Sequence, residues 1–392
     1  MVEASRTIRC VVVPPVAAPY REPLFEALHS GYPEIELSVV YQADREPSWD
    51  VPQEYFATDH AYPAHHLRSW QRARPGRTPI VWPRGLERAL QSADPDCVVS
   101  WEYGAASLRS LRWCRSHNRA YVVFTECTPQ IDGMLSPAQL RRHRWIALRA
   151  DGMIAVSSAA RERLLGFGVA ADRITVALQS ADLGAIREAV LAAHAADSGP
   201  GVEEPLRVLT VGRLVPDKNH ATLIEAFARV QQQSDQNLAE LHIVGDGFLE
   251  PQLRKTVDER QLPVVFHGHI ESEELVGLYA SSDVFALVST FEPFGVSVRE
   301  AAAASLPIIC SREAGAAGDV AIEDRNALLV HPRDPQECAD ALSRVLSDSD
   351  LRQRMGAASH EIDERTRGRD VEAFAAAVVA AARRRGRGPT RA

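Results

Sequence analysis

The chain has 392 residues, 45% of them apolar and 24% charged, with a formal net charge of −8. The length predicts two domains, the balance predicts a soluble globular protein, and the acidity weighs against a nucleic-acid partner. No apolar run approaches the roughly 18 residues of a membrane span, and "MVEASRTIRCVVVPP" is too briefly apolar for a signal peptide, so a cytoplasmic protein is expected. Six cysteines without a C-x-x-C pair argue against a disulfide framework or a zinc site.

In chain order, "IRCVVVPP" is short and β-branched, the pattern of a buried parallel strand. "YREPLFEALHSG" has helical spacing and a glycine stop, and "IELSVVYQ" is a second strand. Residues 44–85 are rich in Pro, His and Arg and are read as irregular. The helices "GLERALQSAD", "SLRSLRWCRSHN", "PAQLRRHRWIALRAD" and "AARERLLGFG" then alternate with the strands "PDCVVSWE", "AYVVFTE", "GMIAVSS" and "RITVALQ". After residue 205 the strands are "LRVLTVGR", "LAELHIVGDG", "VVFHGHI", "DVFALVS" and "PIICSR", separated by "HATLIEAFARVQQQ", "FLEPQLRKTVDERQ", "SEELVGLYASS" and "REAAAASL". "ALLVHP" precedes a further helix, "PQECADALSRVLSD".

The fold class predicted is α/β, with two doubly wound, Rossmann-like domains facing across a cleft. Their expected bounds are 1–192 and 206–366, with a polar Gly/Pro-bearing linker over 193–205. A C-terminal helix over 367–385 is expected to cross back to the first domain, its basic end from Arg383 to Arg387 a solvated tail. Ligands of open α/β sheets bind beyond the carboxyl ends of the strands, and the second-half motifs lie there.

Arg213 and Lys218 flank the loop "VGRLVPDKNH", and Lys218 is one of only two lysines. A guanidinium and an ammonium suit a diphosphate and the charge that develops as it leaves; two solvated surface cations are the plain alternative. Gly245 and Gly247 in "VGDG" permit a tight turn and close ligand approach. The turn around Gly268, with His269 and Ile270 beyond it, suits a flat base, since His267 and His269 lack a third zinc ligand. In "STFEPFGVSVREA" Glu292 stands in a loop, and a helix starting near Phe294 or Gly295 puts Glu300 about two turns in. Gly295, Val296 and Ser297 would present N–H groups to an anion. Glu300 can accept from a ribose diol, and Glu292 can bind sugar hydroxyls.

"EPFGVSVREA" resembles the E-x7-E motif of the retaining glycosyltransferases of family 4, which have the GT-B fold. The second half is similar in order through "GRLVPDKN", "VGDG", "FHGHI", "LYASSDVFALVST", "LPIIC" and "NALLV", and the first more loosely through "PYREPLFEAL" and "ADGMIAVSSAARERLLGFGVAADRITVA". The resemblance implies transfer of a sugar from a nucleotide-sugar donor to an acceptor hydroxyl with retention, forming an α-glycosidic bond without a metal or other cofactor. The expected donor is a UDP-sugar first and a GDP-sugar second. Arg213 and Lys218 then match the diphosphate clamp, Glu300 the ribose ligand, Glu292 the residue facing the donor sugar, and the segment from Phe294 to Ser297 a cradle for sugar or phosphate. The chain departs from the family pattern at Ser305, where glycine is usual, at Arg299, at "AGAAGD", at "NALLV", and at Gln179 and Ser180.

Acceptors in this architecture are expected on the first domain, with Tyr20, Arg21 and Glu102 as candidate contacts. Glu126 stands where many relatives carry a histidine, and is a candidate weak base or orienter. Pairing of Arg21 with Glu22 or Glu26 is the structural alternative. Trp70, Ile80 and Trp82 among arginines mark an acceptor mouth, a membrane-surface patch or an ordinary loop. The expected partners are the donor and a glycan, lipid-linked or small-molecule acceptor, with weak peripheral membrane contact considered beside them. A non-catalytic sugar-nucleotide-binding subunit and a GT-B epimerase or phosphorylase are the alternatives.

Overall fold

Short apolar runs, most of them buried, build one parallel sheet in each of two units. The computed structural model describes residues 7–45, 56, 59–74, 77–196, 205–233 and 239–386. One unit comprises Met1–Ala181 with Gly368–Ala392, the other Asp182–Arg367.

The first unit contains β1 (Ile8–Val13), α1 (Glu22–Gly31), β2 (Ile35–Tyr41), β3 (Ala64–His66), β4 (Ser69–Arg74), β5 (Arg77–Pro83), α2 (Leu86–Ala93), β6 (Cys97–Trp101), α3 (Ala105–Ser116), β7 (Ala120–Thr125), α4 (Pro137–Arg149), β8 (Gly152–Ala155), α5 (Ser158–Gly166) and β9 (Ile174–Val176). Its seven-stranded sheet has the order β3-β2-β1-β6-β7-β8-β9, with every pair parallel. Val11, Val98, Tyr121, Val123 and Met153 fill its core with Leu86, Leu90, Ile146 and Leu164 from the helices. Residues 44–85, read from sequence as irregular, instead supply the edge strand β3 and the antiparallel hairpin β4–β5. Arg, His and Pro dilute the apolar alternation there, and inward burial rests on a few side chains, Leu67 and Val81 on Val16, Ala43 and Phe56.

The second unit contains α6 (Gly184–Ala196), β10 (Leu206–Val211), α7 (His220–Gln233), β11 (Ala239–Val244), α8 (Glu250–Arg260), β12 (Val264–Gly268), α9 (Ser272–Ala280), β13 (Val284–Leu287), α10 (Val296–Ala303), β14 (Ile308–Ser311), β15 (Ala327–Val330), α11 (Pro335–Ser347) and α12 (Ser349–Thr366). Its sheet order is β12-β11-β10-β13-β14-β15, so the winding reverses between β10 and β13. Neither α6 nor α12 stood out in the sequence. The contact boundary falls at Ala181 and Asp182, ahead of the expected linker over 193–205, because α6 belongs to the second unit. Arg187 on α6 donates to both oxygens of the buried Asp363 on α12, at 2.6 and 2.7 Å. Residues 193–196 finish α6, and 197–204 lie outside the described residues.

The last helix, α13 (Arg369–Arg384), packs on the first unit and buries Phe374, Ala377, Val378, Ala381 and Ala382. Gly152 at the start of β8 faces it: a Cβ there would lie 3.5 Å from that of Ala381, in ordinary van der Waals contact. The basic end is not a solvated tail. Arg384 donates to the carbonyl of Asp151 at 2.9 Å and Arg385 to its carboxylate at 2.9 Å; Arg387 lies outside the described residues. Among the described residues no helix is long and apolar enough to cross a membrane. Phe374 is 1% exposed, so Phe374→Ala is expected to destabilise the first unit by about 3–5 kcal/mol in denaturant titration.

Candidate functional site

Ligand sites of doubly wound sheets form where the winding reverses, because loops leaving adjacent strands there diverge and open a crevice. In the second unit those loops follow β10 and β13. They carry Lys218 and Glu292, whose side chains form an ion pair. Both are largely withdrawn from water, with Glu292 7% exposed. Ser289 Oγ lies 3.5 Å from the same carboxylate oxygen.

The backbone fixes this pair from two sides. Thr290 N donates to the carbonyl of Asp217 at 2.9 Å, joining the two loops. Gly315 N donates to the carbonyl of Glu292 at 3.0 Å and Ala316 N to that of Phe294 at 2.8 Å. Asn219, in the left-handed region at φ 57°, donates its amide to the carbonyls of Val288 at 3.1 Å and Pro332 at 2.6 Å. Asn219 and Gly315 were not singled out as site residues. A Cβ at Gly315 would lie 2.0 Å from the Pro293 carbonyl oxygen, a requirement that only the fold reveals.

Gly245 and Gly247 serve the same loop. Their φ values are +125° and +154°, and a Cβ on either would lie 2.2 Å from the carbonyl of Gly212 or 2.5 Å from that of Leu214. Close backbone packing therefore demands both glycines, independent of any ligand. Arg213, beside them, is exposed.

Gly295, at φ +99°, caps α10 without a side-chain hydrogen bond. The helix begins at Val296, so Glu300 lies little more than one turn in, not two. Phe294 is buried, while Val296 and Ser297 are half-buried. The half-buried Glu300 accepts from Tyr279 Oη at 2.7 Å, and that hydroxyl also lies 3.4 Å from the Ser297 carbonyl. Burial pushes the Glu300 carboxyl above its ordinary range, against the opposing Tyr279 hydrogen bond. The place of Tyr279 in "LYASSD" carries no sequence signal for this contact. His269 is exposed and Ile270 half-buried. His267 instead meets His242 at 3.0 Å. Among the described residues no group of three or more His, Cys, Asp or Glu could hold a metal ion.

In the first unit, Tyr20 and Arg21 follow β1 in a short 3-10 turn. Arg21 is buried, its guanidinium 4.8 Å from the Tyr20 ring and 5.5 Å from that of Trp101. It approaches Glu126 at 3.9 Å; Glu22 is held by Tyr41 at 2.8 Å and His60 at 2.9 Å. Arg21 Nε and Nη1, Trp101 Nε1 and Thr128 Oγ1 are buried without a hydrogen-bond partner among the described residues, a concentration of unsatisfied donors that folded proteins rarely tolerate. Glu102 has the left-handed φ of 54° and accepts from Thr125 Oγ1 at 2.9 Å, Glu126 N at 2.5 Å and Cys127 Sγ at 3.0 Å. Those contacts make it a scaffold for the loop after β7. Burial first and the Glu126 charge second push its carboxyl up to about 6.

A family model described as Glycosyl transferases group 1 matches residues 196–361, and one described as Glycosyltransferase Family 4 matches residues 34–183. The chain is 32% identical over 166 residues to the sulfoquinovosyl transferase SQD2 of Arabidopsis thaliana, covering 42% of this chain and 31% of that protein. It is 31% identical over 222 residues to the D-inositol 3-phosphate glycosyltransferase of Nocardia farcinica, covering 54% and 48%. A GDP-mannose-dependent alpha-(1-6)-phosphatidylinositol monomannoside mannosyltransferase of Mycobacterium tuberculosis is 33% identical over 163 residues, covering 39% and 42%. The chain thus matches less than half the length of each of these relatives. Among solved structures, Anabaena Alr3699/HepE in complex with UDP and glucose superposes with a TM-score of 0.71 at 19% identity, covering 94% of this chain and 98% of that one. The lipopolysaccharide outer core galactosyltransferase WaaB gives 0.70 at 16% identity, covering 95% and 99%. The chain belongs to glycosyltransferase family 4 and has the GT-B fold.

Two substitutions test the local geometry. Ser305 has φ 59° just past the end of α10, so Ser305→Gly is expected to stabilise the chain by about 0.5–1 kcal/mol in thermal unfolding. Gly315→Ala is expected to cost about 2–3 kcal/mol, since the Glu292 loop must move away.

Proposed function

We propose that this family 4 glycosyltransferase moves a sugar from a nucleoside-diphosphate sugar to an acceptor hydroxyl with retention, forming an α-glycosidic bond. The observation that carries the reading is the Lys218–Glu292 ion pair at the winding reversal of the second unit. A carboxylate holds the ammonium in place before any ligand arrives, and a diphosphate entering there would share or take over that ammonium. Arg213, exposed in the same loop, would supply a second cation. As the bond from the anomeric carbon to the diphosphate oxygen breaks, its electron pair goes to the diphosphate, where both cations stabilise it. The acceptor hydroxyl bonds to the anomeric carbon from the same face and gives its proton to the departing diphosphate. Glu292 holds the sugar hydroxyls and opposes the positive charge developing on the ring. Glu300 takes the ribose diol, and the turn at His269 and Ile270 takes the base.

A UDP-sugar is the first choice of donor, supported by the solved neighbour with UDP and glucose; a GDP-sugar is second, supported by the GDP-mannose-dependent relative. No metal cofactor is required by this route. The acceptor falls to the first unit, where the unsatisfied donors of Arg21, Trp101 and Thr128 suit an oxygen-rich glycan, lipid-linked or small-molecule acceptor. Glu126 would orient its hydroxyl. We read the protein as a cytoplasmic enzyme.

Glu292→Gln is expected to lower the transfer rate by about a hundredfold or more while nucleoside diphosphate affinity holds or rises, because Lys218 loses its competing carboxylate. Unchanged turnover would remove Glu292 from the mechanism, and product NMR reads the anomeric outcome. Glu300→Ala is expected to weaken nucleotide binding about tenfold. Only an ionised Glu300 accepts both ribose hydroxyls, so wild-type affinity should fall as pH drops through its raised pKa. Calorimetry should show that slope flattened in Glu300→Ala; an identical slope would contradict the ribose contact.

A further inference from the structure

We propose that the outward face of the β4–β5 hairpin docks this protein on an anionic lipid bilayer. Directly opposed residues of an antiparallel pair share a face. The register sets Trp70 against Trp82 and Arg72 against Ile80, so these four point the same way. Trp70 is 48% exposed, Ile80 49% and Trp82 51%, and Arg68, Arg72 and Arg84 are exposed beside them. The opposite face holds the hairpin to the unit, through Val81 on its small apolar cluster and Gln71 donating to the carbonyl of Arg45 at 3.1 Å.

Two exposed tryptophans and an isoleucine collared by arginines have the composition of a membrane-interface surface, with aromatic rings at headgroup depth and cations on the phosphates. A second feature points to the same ligand. An open pocket beside Trp70 is lined by Arg45, Arg68 and Arg84, with Asp44 as its acidic member. Asp44 faces His66 at 3.4 Å, and the other nearby acid, Glu87, is engaged by Arg109, whose guanidinium lies 5.2 Å from the Trp82 ring. Three guanidinium groups around one pocket fit a lipid phosphate. Charge complementarity therefore selects an anionic bilayer over a neutral one. The inference rests on the first unit alone and holds whatever the donor reaction proves to be.

Vesicle flotation of the full chain tests it, with phosphatidylcholine alone and with added phosphatidylglycerol, at low and high salt. The expected result is binding to the anionic vesicles only, weakened by salt. Trp70→Ser with Trp82→Ser should reduce partitioning at least tenfold, and Arg68→Ser with Arg84→Ser about fivefold per arginine. Circular dichroism and melting temperature should match wild type, since all four side chains are exposed. The proposal is overturned if wild type ignores anionic vesicles, binds neutral ones equally well, or binds as tightly after the tryptophans are replaced. Inorganic phosphate binding without vesicle binding would also overturn it, marking the arginine pocket as a site for soluble anions.

Discussion

The ion pair between Lys218 and Glu292 organises the loops at the carboxyl end of the second unit's sheet. A carboxylate this far from water loses hydration that only a well-placed cation restores. The surrounding loops can be understood as the means of keeping that cation there. Gly245 and Gly247 let the β11 loop lie against the β10 loop without side chains between them. Asn219 ties the β10 loop to β13 and to the segment before α11, and Gly315 lets the β14 loop close over Pro293. Four loops, those after β10, β11, β13 and β14, are thus held by hydrogen bonds around one charge pair.

The first unit repeats the arrangement with different chemistry. Its sheet also reverses, between β1 and β6, and a basic residue again follows the first strand while acids follow the strands beyond the reversal. The pairing is looser, with Arg21 and Glu126 at 3.9 Å, and two guanidinium nitrogens of Arg21 have no hydrogen-bond partner among the described residues. Glu102 spends its carboxylate on neighbouring loop groups. The charged groups of one end are paired, while at the other both Arg21 and Glu126 Oε1 keep unsatisfied hydrogen-bonding capacity among the described residues.

The parallel sheets were legible because most buried strands are short apolar runs, many of them β-branched, and the loops at their ends followed from strand direction. The sequence placed Lys218 and Glu292 on separate loops without pairing them, since 74 positions separate them and no local pattern links them. Tyr279 and Gly315 were hidden for the same reason, as their partners come from other elements. Helix α12 escaped notice because its core side is carried by Gly356, Ser359 and Asp363 as much as by Met355 and Ile362, which blunts any apolar stripe. The β4–β5 hairpin escaped because its largest apolar residues, Trp70, Ile80 and Trp82, lie on the exposed face, where alternation suggests no core.

The most direct measurement is calorimetric titration of the full chain with UDP, GDP and ADP, repeated with Lys218→Ala. The account predicts that one nucleoside diphosphate binds at a single site and that removing the ammonium weakens it by about tenfold or more. Saturable binding that is indifferent to Lys218, or no binding of any of the three, would contradict the claim that this ion pair marks the donor diphosphate site.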